Sequence, residues 1–105
     1  MAGTGNTSVR SYNFFVSGTI AAGGYAANEH IFIDADDGTT NFTSKTVILF
    51  NDSANVIDIR FSPDPGGGTP HMRALANEPV TLDFKRAKRA YLSATVGSAF
   101  RLTAY

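Results

Sequence analysis

Apolar and polar residues alternate in short runs along Asn51–Tyr105, and each run is bounded by turn residues. In Val56-Ile57-Asp58-Ile59-Arg60-Phe61, positions 57, 59 and 61 point one way and 56, 58 and 60 the other. Val80, Leu82 and Phe84 form a second apolar set, and Leu92, Ala94 and Val96 a third, alternating with Tyr91, Ser93 and Thr95. Phe100, Leu102 and Ala104 alternate with Arg101, Thr103 and Tyr105. Period-two patterning marks half-buried strands, because successive side chains leave opposite faces of the pleat. These four apolar sets are the predicted core.

The upstream half carries weaker signals of the same kind. Val9–Ile20 reads as one long strand or a strand pair, with Ser17-Gly18 as a bend or bulge. Ala21–Asn28 is small and glycine-rich and reads as a loop. His30–Asp34 reads as a strand closed by the turn Asp36-Asp37-Gly38, and Thr39–Ser44 as a polar loop. Lys45–Phe50 holds four consecutive apolar residues, which predicts a central strand covered on both faces. Asn51–Asn55 is then a turn. Pro63–Pro70 cannot continue a ladder, since proline lacks a donor. It separates Phe61 from a short run His71–Leu75, and Asn77-Glu78-Pro79 turns into the strand at Val80.

About eight short strands without a long helix predict an all-β fold, a two-sheet antiparallel β-sandwich. A jelly-roll-like arrangement suits that strand number, although an immunoglobulin-like topology stays open at this level. Residues 1–8 are small and polar and read as a flexible N-terminal arm; residues 9–105 read as a single domain.

Composition narrows the function classes. The 105 residues have zero formal net charge, so no global field draws the chain to nucleic acid or to anionic lipid. There is no cysteine, which excludes disulfides and thiolate metal sites. A small domain without such staples relies on its core, on oligomerisation or on docking to a larger body. The N-terminus lacks an apolar leader segment and no apolar run is long enough to span a bilayer, so the expectation is folding in the cytoplasm with no membrane partner.

Candidate chemistry is sparse. Asp34-Ala35-Asp36-Asp37-Gly38 resembles the start of a calcium loop. Its glycine comes one residue early, however, and Lys45 stands where the bidentate glutamate belongs, so a solvated turn is the expectation. His30 and His71 are the only histidines and lack metal-ligand spacing. Gly66-Gly67-Gly68 is followed by Thr69-Pro70 rather than by the lysine and helix of a phosphate loop. Asn6, Asn41 and Asn51 open glycosylation sequons, which carry no weight without a secretory leader. No cofactor, metal site or catalytic constellation is indicated. Lys85-Arg86-Ala87-Lys88-Arg89 is the one charge cluster, with four cations in five residues. It lacks an aromatic stacking platform for nucleic acid and reads as a solvated turn or a contact to an acidic partner patch.

The segment from Val47 to Tyr105 resembles a type of small virion protein of tailed bacteriophages. The matching pieces are Ile57-Asp58-Ile59-Arg60-Phe61-Ser62, Gly67-Gly68-Thr69, Glu78-Pro79-Val80-Thr81-Leu82-Asp83, Tyr91-Leu92-Ser93 and Phe100-Arg101-Leu102-Thr103-Ala104-Tyr105. The sequence departs from the pattern in the longer turn Pro63-Asp64-Pro65-Gly66 and in closing on tyrosine where tryptophan is common. The resemblance implies a capsid decoration (cement) protein on the virion surface, assembled in the host cytoplasm and bound to the major capsid protein. A neck or tail component is the alternative within the same particle. It implies a structural role without catalytic residues; a homo-oligomer, for example a trimer, is the expectation on separate grounds, because closed symmetric assembly would bury edge strands that a lone sandwich leaves open. The candidate interface residues are Thr4, Asn6 and Arg10 in the leading segment and Lys85, Arg86, Lys88 and Arg89 in the basic turn. A carbohydrate-binding sandwich is the reading from a different class, with Tyr25, Phe42, Tyr91 and Tyr105 as the only plausible platform residues.

Overall fold

The computed structural model describes residues 12–61, 70–83 and 85–105. Eight strands form two antiparallel sheets. They are β1 (Phe14–Thr19), β2 (Glu29–Ile31), β3 (Thr46–Asn51), β4 (Ile57–Arg60), β5 (Met72–Ala74), β6 (Pro79–Asp83), β7 (Arg89–Ser93) and β8 (Ala99–Ala104). One sheet has the order β1-β8-β3-β6 and the other β2-β7-β4-β5. The pairs β1:β8, β2:β7, β3:β6 and β4:β5 are those of one long antiparallel ribbon folded back on itself. Two cross-pairings, β3:β8 and β4:β7, close the ribbon into a jelly roll. Connections that leave by the same route alternate between two ends, so β1–β2, β3–β4, β5–β6 and β7–β8 share one pole. The connections β2–β3, β4–β5 and β6–β7 share the other.

Alternation sets the core. Val47, Leu49, Ile57, Ile59, Leu92, Phe100, Leu102 and Ala104 are buried between the sheets, as the pattern predicts. Each fully buried aliphatic or aromatic side chain contributes about 1.5–3 kcal/mol relative to exposure. Phe61, Val80, Leu82 and Ala94 pack only partly against this core, because they lie at strand ends or on an edge strand. Val96 departs from the prediction: β7 ends at Ser93 and Val96 sits in the following turn, 63% exposed. Tyr91 departs in the other direction. It alternates outward yet is buried, since Gly24–Asn28 forms a 3-10 turn that packs against β7, where a plain loop was expected. Gly23 permits that turn, with φ of 115° and Ala27 Cβ only 2.7 Å from where a side chain would begin.

Three further expectations are corrected. Ser17 and Gly18 stay in regular register with Arg101 and Phe100, with no bulge. The strand expected at His30–Asp34 ends at Ile31; Phe32 turns into the core and Ile33 makes only an isolated bridge to Asn41. β3 is interior to its sheet, but its outer residues Ile48 and Phe50 remain half-exposed, so it is covered fully on one face only. The expected flexible arm and the stretch from Val9 to Ser11 lie outside the described residues, as do Phe84 and most of the Pro63–Pro70 turn.

Candidate functional site: the two poles of the sandwich

The pole that carries β1–β2, β3–β4, β5–β6 and β7–β8 is organised by Asn51. This residue follows Val47 and Leu49 on the inward parity of β3 and is 2% exposed. Its amide nitrogen donates to the carbonyls of Asn55 (2.6 Å), Ala74 (3.2 Å) and Leu75 (3.0 Å). Its amide oxygen accepts from the Ser53 backbone (2.9 Å) and hydroxyl (2.7 Å). One side chain thus ties β3–β4 to β5–β6. Asn55 donates onward to the Ser98 hydroxyl at 3.2 Å, and Ile20 and Ser98 join through a 3.0 Å backbone bond, which brings in β7–β8 and β1–β2. Asn28 closes the 3-10 turn by bonding Ala21 and Gly24. The β1–β2 and β7–β8 connections hold no Asp, Glu, Lys, Arg or His, whereas β3–β4 carries Asp52, paired with Arg101 at 2.7 Å, and β5–β6 carries Glu78, which accepts from the Leu75 backbone at 3.0 Å. The exposed residues include Val56, Leu75 and Val96. This pole is braced mainly by amide and hydroxyl side chains.

The opposite pole gathers segments that sequence reading singled out separately. Asp34–Ser44 lies in β2–β3, Lys85–Lys88 forms β6–β7, and residues 62–69 join Phe61 to Pro70 between β4 and β5. Residues 1–11 precede Tyr12 here, because the start of β1 pairs with the end of β8. Thr4, Asn6 and Arg10 lie outside the described residues. The two described connections are welded by Ser44, which is fully buried. Its hydroxyl donates to the Lys85 carbonyl (2.7 Å) and accepts from the Ala87 backbone (3.1 Å), and its own backbone donates to the Ala87 carbonyl (2.7 Å). An aromatic stack supports them: Tyr12 on Phe42 (5.6 Å), Phe42 near Phe32 (6.1 Å) and Phe32 near Phe14 (5.3 Å).

The expected solvated turn at Asp34 is also corrected. Asp34 is fully buried, and its carboxylate accepts from the Asn13 backbone at 3.3 Å while Ala35 donates to the Asn13 carbonyl. The acid therefore fixes where the chain enters β1. Asp37 forms the exposed part of the turn and accepts from Thr39 and Thr40. No cluster of His, Asp or Glu suited to hold a metal ion occurs among the described residues.

The basic turn does not act as one patch. Lys85 places its ammonium 4.6 Å over the Phe61 ring. Arg86 points to a shallow groove of about 330 Å³, which it lines with Lys45, Thr46, Asp83 and Tyr105. Lys88 is exposed. Arg89 belongs to β7 rather than to the turn, and it donates to Glu29 at 2.7 Å, where the Tyr91 hydroxyl also donates at 3.0 Å. Both partners hold the Glu29 carboxyl below its ordinary value, Arg89 first. Lys45 and Arg86 are thus the exposed cations that line the groove, together with the carboxylate of Asp83, and Lys45 is the member that sequence reading missed. No periodic signal marks it, because only the β3:β8 and β3:β6 pairings bring it to Arg86.

Of the four aromatics weighed as a carbohydrate platform, Phe42 and Tyr91 are buried and Tyr25 is half-buried beside the Arg60 guanidinium, leaving Tyr105 exposed. Comparison with family models, with curated proteins and with solved structures returns no match.

Both histidines favour the neutral form. Burial depresses His30, which lies edge-on to Phe100 at 5.3 Å and leaves its Nε2 without a hydrogen bond, while Glu29 opposes the shift. Desolvation depresses His71, assisted by Arg60 and Lys85; its Nδ1 accepts the Phe61 backbone N–H at 3.1 Å, a bond that protonation would remove. The unfolded chain then binds protons more readily than the folded one. The histidine contribution is complete above the ordinary imidazole value near 6.5 and is lost as pH falls below it toward the depressed folded values. We expect the urea midpoint to drop between pH 7.5 and pH 5.5. A His30→Phe, His71→Asn double variant should flatten that dependence; an equal slope in the variant would assign it to other groups.

Proposed function

We propose that this protein is a virion structural protein, a capsid decoration protein that seats on the major capsid protein and stabilises the assembled shell. The observation that carries the reading is an open groove at the pole where the β2–β3 and β6–β7 connections meet, in which Lys45, Arg86 and Tyr105 stand together. Jelly rolls occur in viral capsid domains, but also in lectins and cupins, so the fold supports the reading without deciding it. The strand-and-turn motifs of Val47–Tyr105 favour the viral branch, and the burial of Phe42 and Tyr91 disfavours the lectin branch.

In this reading the groove lined by Lys45, Arg86, Asp83 and Tyr105 receives a carboxylate-bearing edge of the capsid protein on its two cations, and the exposed Lys88 of the β6–β7 connection adds to the contact. Binding the assembled state in preference to free subunits raises shell stability by linkage. Purified protein should bind expanded shells and raise their melting temperature. A Lys45→Glu, Arg86→Glu, Lys88→Glu variant should fold normally and bind at least tenfold more weakly, with most of the loss removed at high salt. Absence of binding to phage shells sinks the proposal. Labelled particles that carry the protein on the axis rather than on the shell would reassign it to the neck or tail.

A further inference from the structure

The two sheets expose four edge strands, and three of them are guarded. β2 and β5 are three residues each, and their exposed outward side chains include Glu29 and Arg73. β6 begins at Pro79, which has no N–H to donate, and ends at Asp83. Short length, proline and charge are the usual means by which sheet edges avoid pairing with another chain. β1 has none of them. Its sequence Phe-Phe-Val-Ser-Gly-Thr is six residues long, carries no charge and no proline, and keeps unbroken register with β8, its only sheet neighbour among the described residues. Phe15 on its outward face is 58% exposed.

We infer that β1 is a self-association edge: it pairs antiparallel with β1 of a second copy across a two-fold axis. The occupant follows from the other edges. A free row of backbone groups is satisfied by another strand, and among the described edges β6 is blocked by Pro79 while β2 and β5 are too short to match six residues. β1 itself meets every condition, and its uncharged side chains bring no like charges face to face. A two-fold axis perpendicular to the sheet keeps both copies' outer faces on one side, so directly opposed residues share strand parity. Centred on Ser17, the pairing sets Phe15 against Thr19 and Val16 against Gly18 of the second copy, so that the larger side chains meet the smaller. The two four-stranded sheets then fuse into one continuous sheet with β1 no longer an edge. This pairing does not rest on the virion reading and uses neither pole.

The lack of cysteine makes the test clean. In a Ser17→Cys variant the two introduced thiols face one another at a Cα separation of about 4.5–5.5 Å, within disulfide reach. Mild oxidation should yield a covalent dimer, whereas Thr81→Cys on β6 should stay monomeric. By sedimentation velocity the wild-type chain should pass from monomer to dimer as concentration rises. Phe15→Lys should weaken that dimer at least tenfold with an unchanged melting curve at dilution, because Phe15 is outside the core. A chain that stays monomeric into the millimolar range without a Ser17→Cys disulfide overturns the inference. So does equal cross-linking at Thr81→Cys, or a Phe15→Lys dimer of undiminished affinity. A monomer whose β1 amides gain exchange protection only with a different protein would overturn self-pairing in favour of strand addition by that partner.

Discussion

Replacing Asn51 with alanine is expected to lower stability by about 3 kcal/mol, more than its size alone suggests. The change removes little apolar area. It strands the carbonyls of Ala74, Leu75 and Asn55 and frees the Ser53 donors at once, in a position where Asn51 itself is 2% exposed. An unmade hydrogen bond to a buried group costs about 1–3 kcal/mol, and water reaches only the outer members of this set. Asn51→Asp is the sharper variant. It keeps the shape but points a carboxylate at three carbonyl oxygens, so it should destabilise more than alanine near neutral pH and recover part of the loss in acid. Denaturant titration of both variants checks this, and a loss below about 1 kcal/mol for alanine would show that the connections are held by their own backbone bonds.

Truncating Phe32 to alanine should cost about 3–5 kcal/mol, a large share of the 5–15 kcal/mol typical of a whole domain. Phe32 is fully buried and links Phe14 of β1 to Phe42 of the β2–β3 connection. Its backbone joins the same pole to β6–β7 through the Lys88 carbonyl at 3.0 Å. The melting temperature should fall by roughly 12–40 °C, at about 4–8 °C per kcal/mol for a domain of this size. Amide exchange at Ser44 and Phe42 should quicken more than exchange in β4, none of whose residues takes part in the stack. Uniform acceleration would mean that the aromatic stack belongs to the global core and gives the groove no local support.

The two expectations differ in how visible they were. Asn51 sits in a stretch read as a turn, Asn-Asp-Ser-Ala-Asn, and turn chemistry did account for Ser53 and Asn55. Strand parity, counted on from Val47 and Leu49, was the available sign that Asn51 faces inward. Phe32 fell within a predicted strand, but its burial depends on Phe14 and Phe42 and on the early end of β2. Val96 was misplaced because alternation continues on paper through Thr95, whereas Gly97, with φ of 89°, belongs to a turn that ends the pairing. The basic run looked like a single patch because four cations are adjacent in sequence. Its heads separate because Arg89 is already in a strand and meets Glu29, while Lys85 turns to Phe61.

The sequence by itself determined the class of the fold and most of the core: period-two burial depends on local pleat geometry, which every alternating run reports without knowing its partners. Only the tertiary structure decided which connections share a pole, that Lys45 stands beside Arg86, and that β1 is the unguarded edge. Those are properties of strand order. Strand order is set by which non-local pairings best bury all the apolar faces together, so no single run of residues carries it.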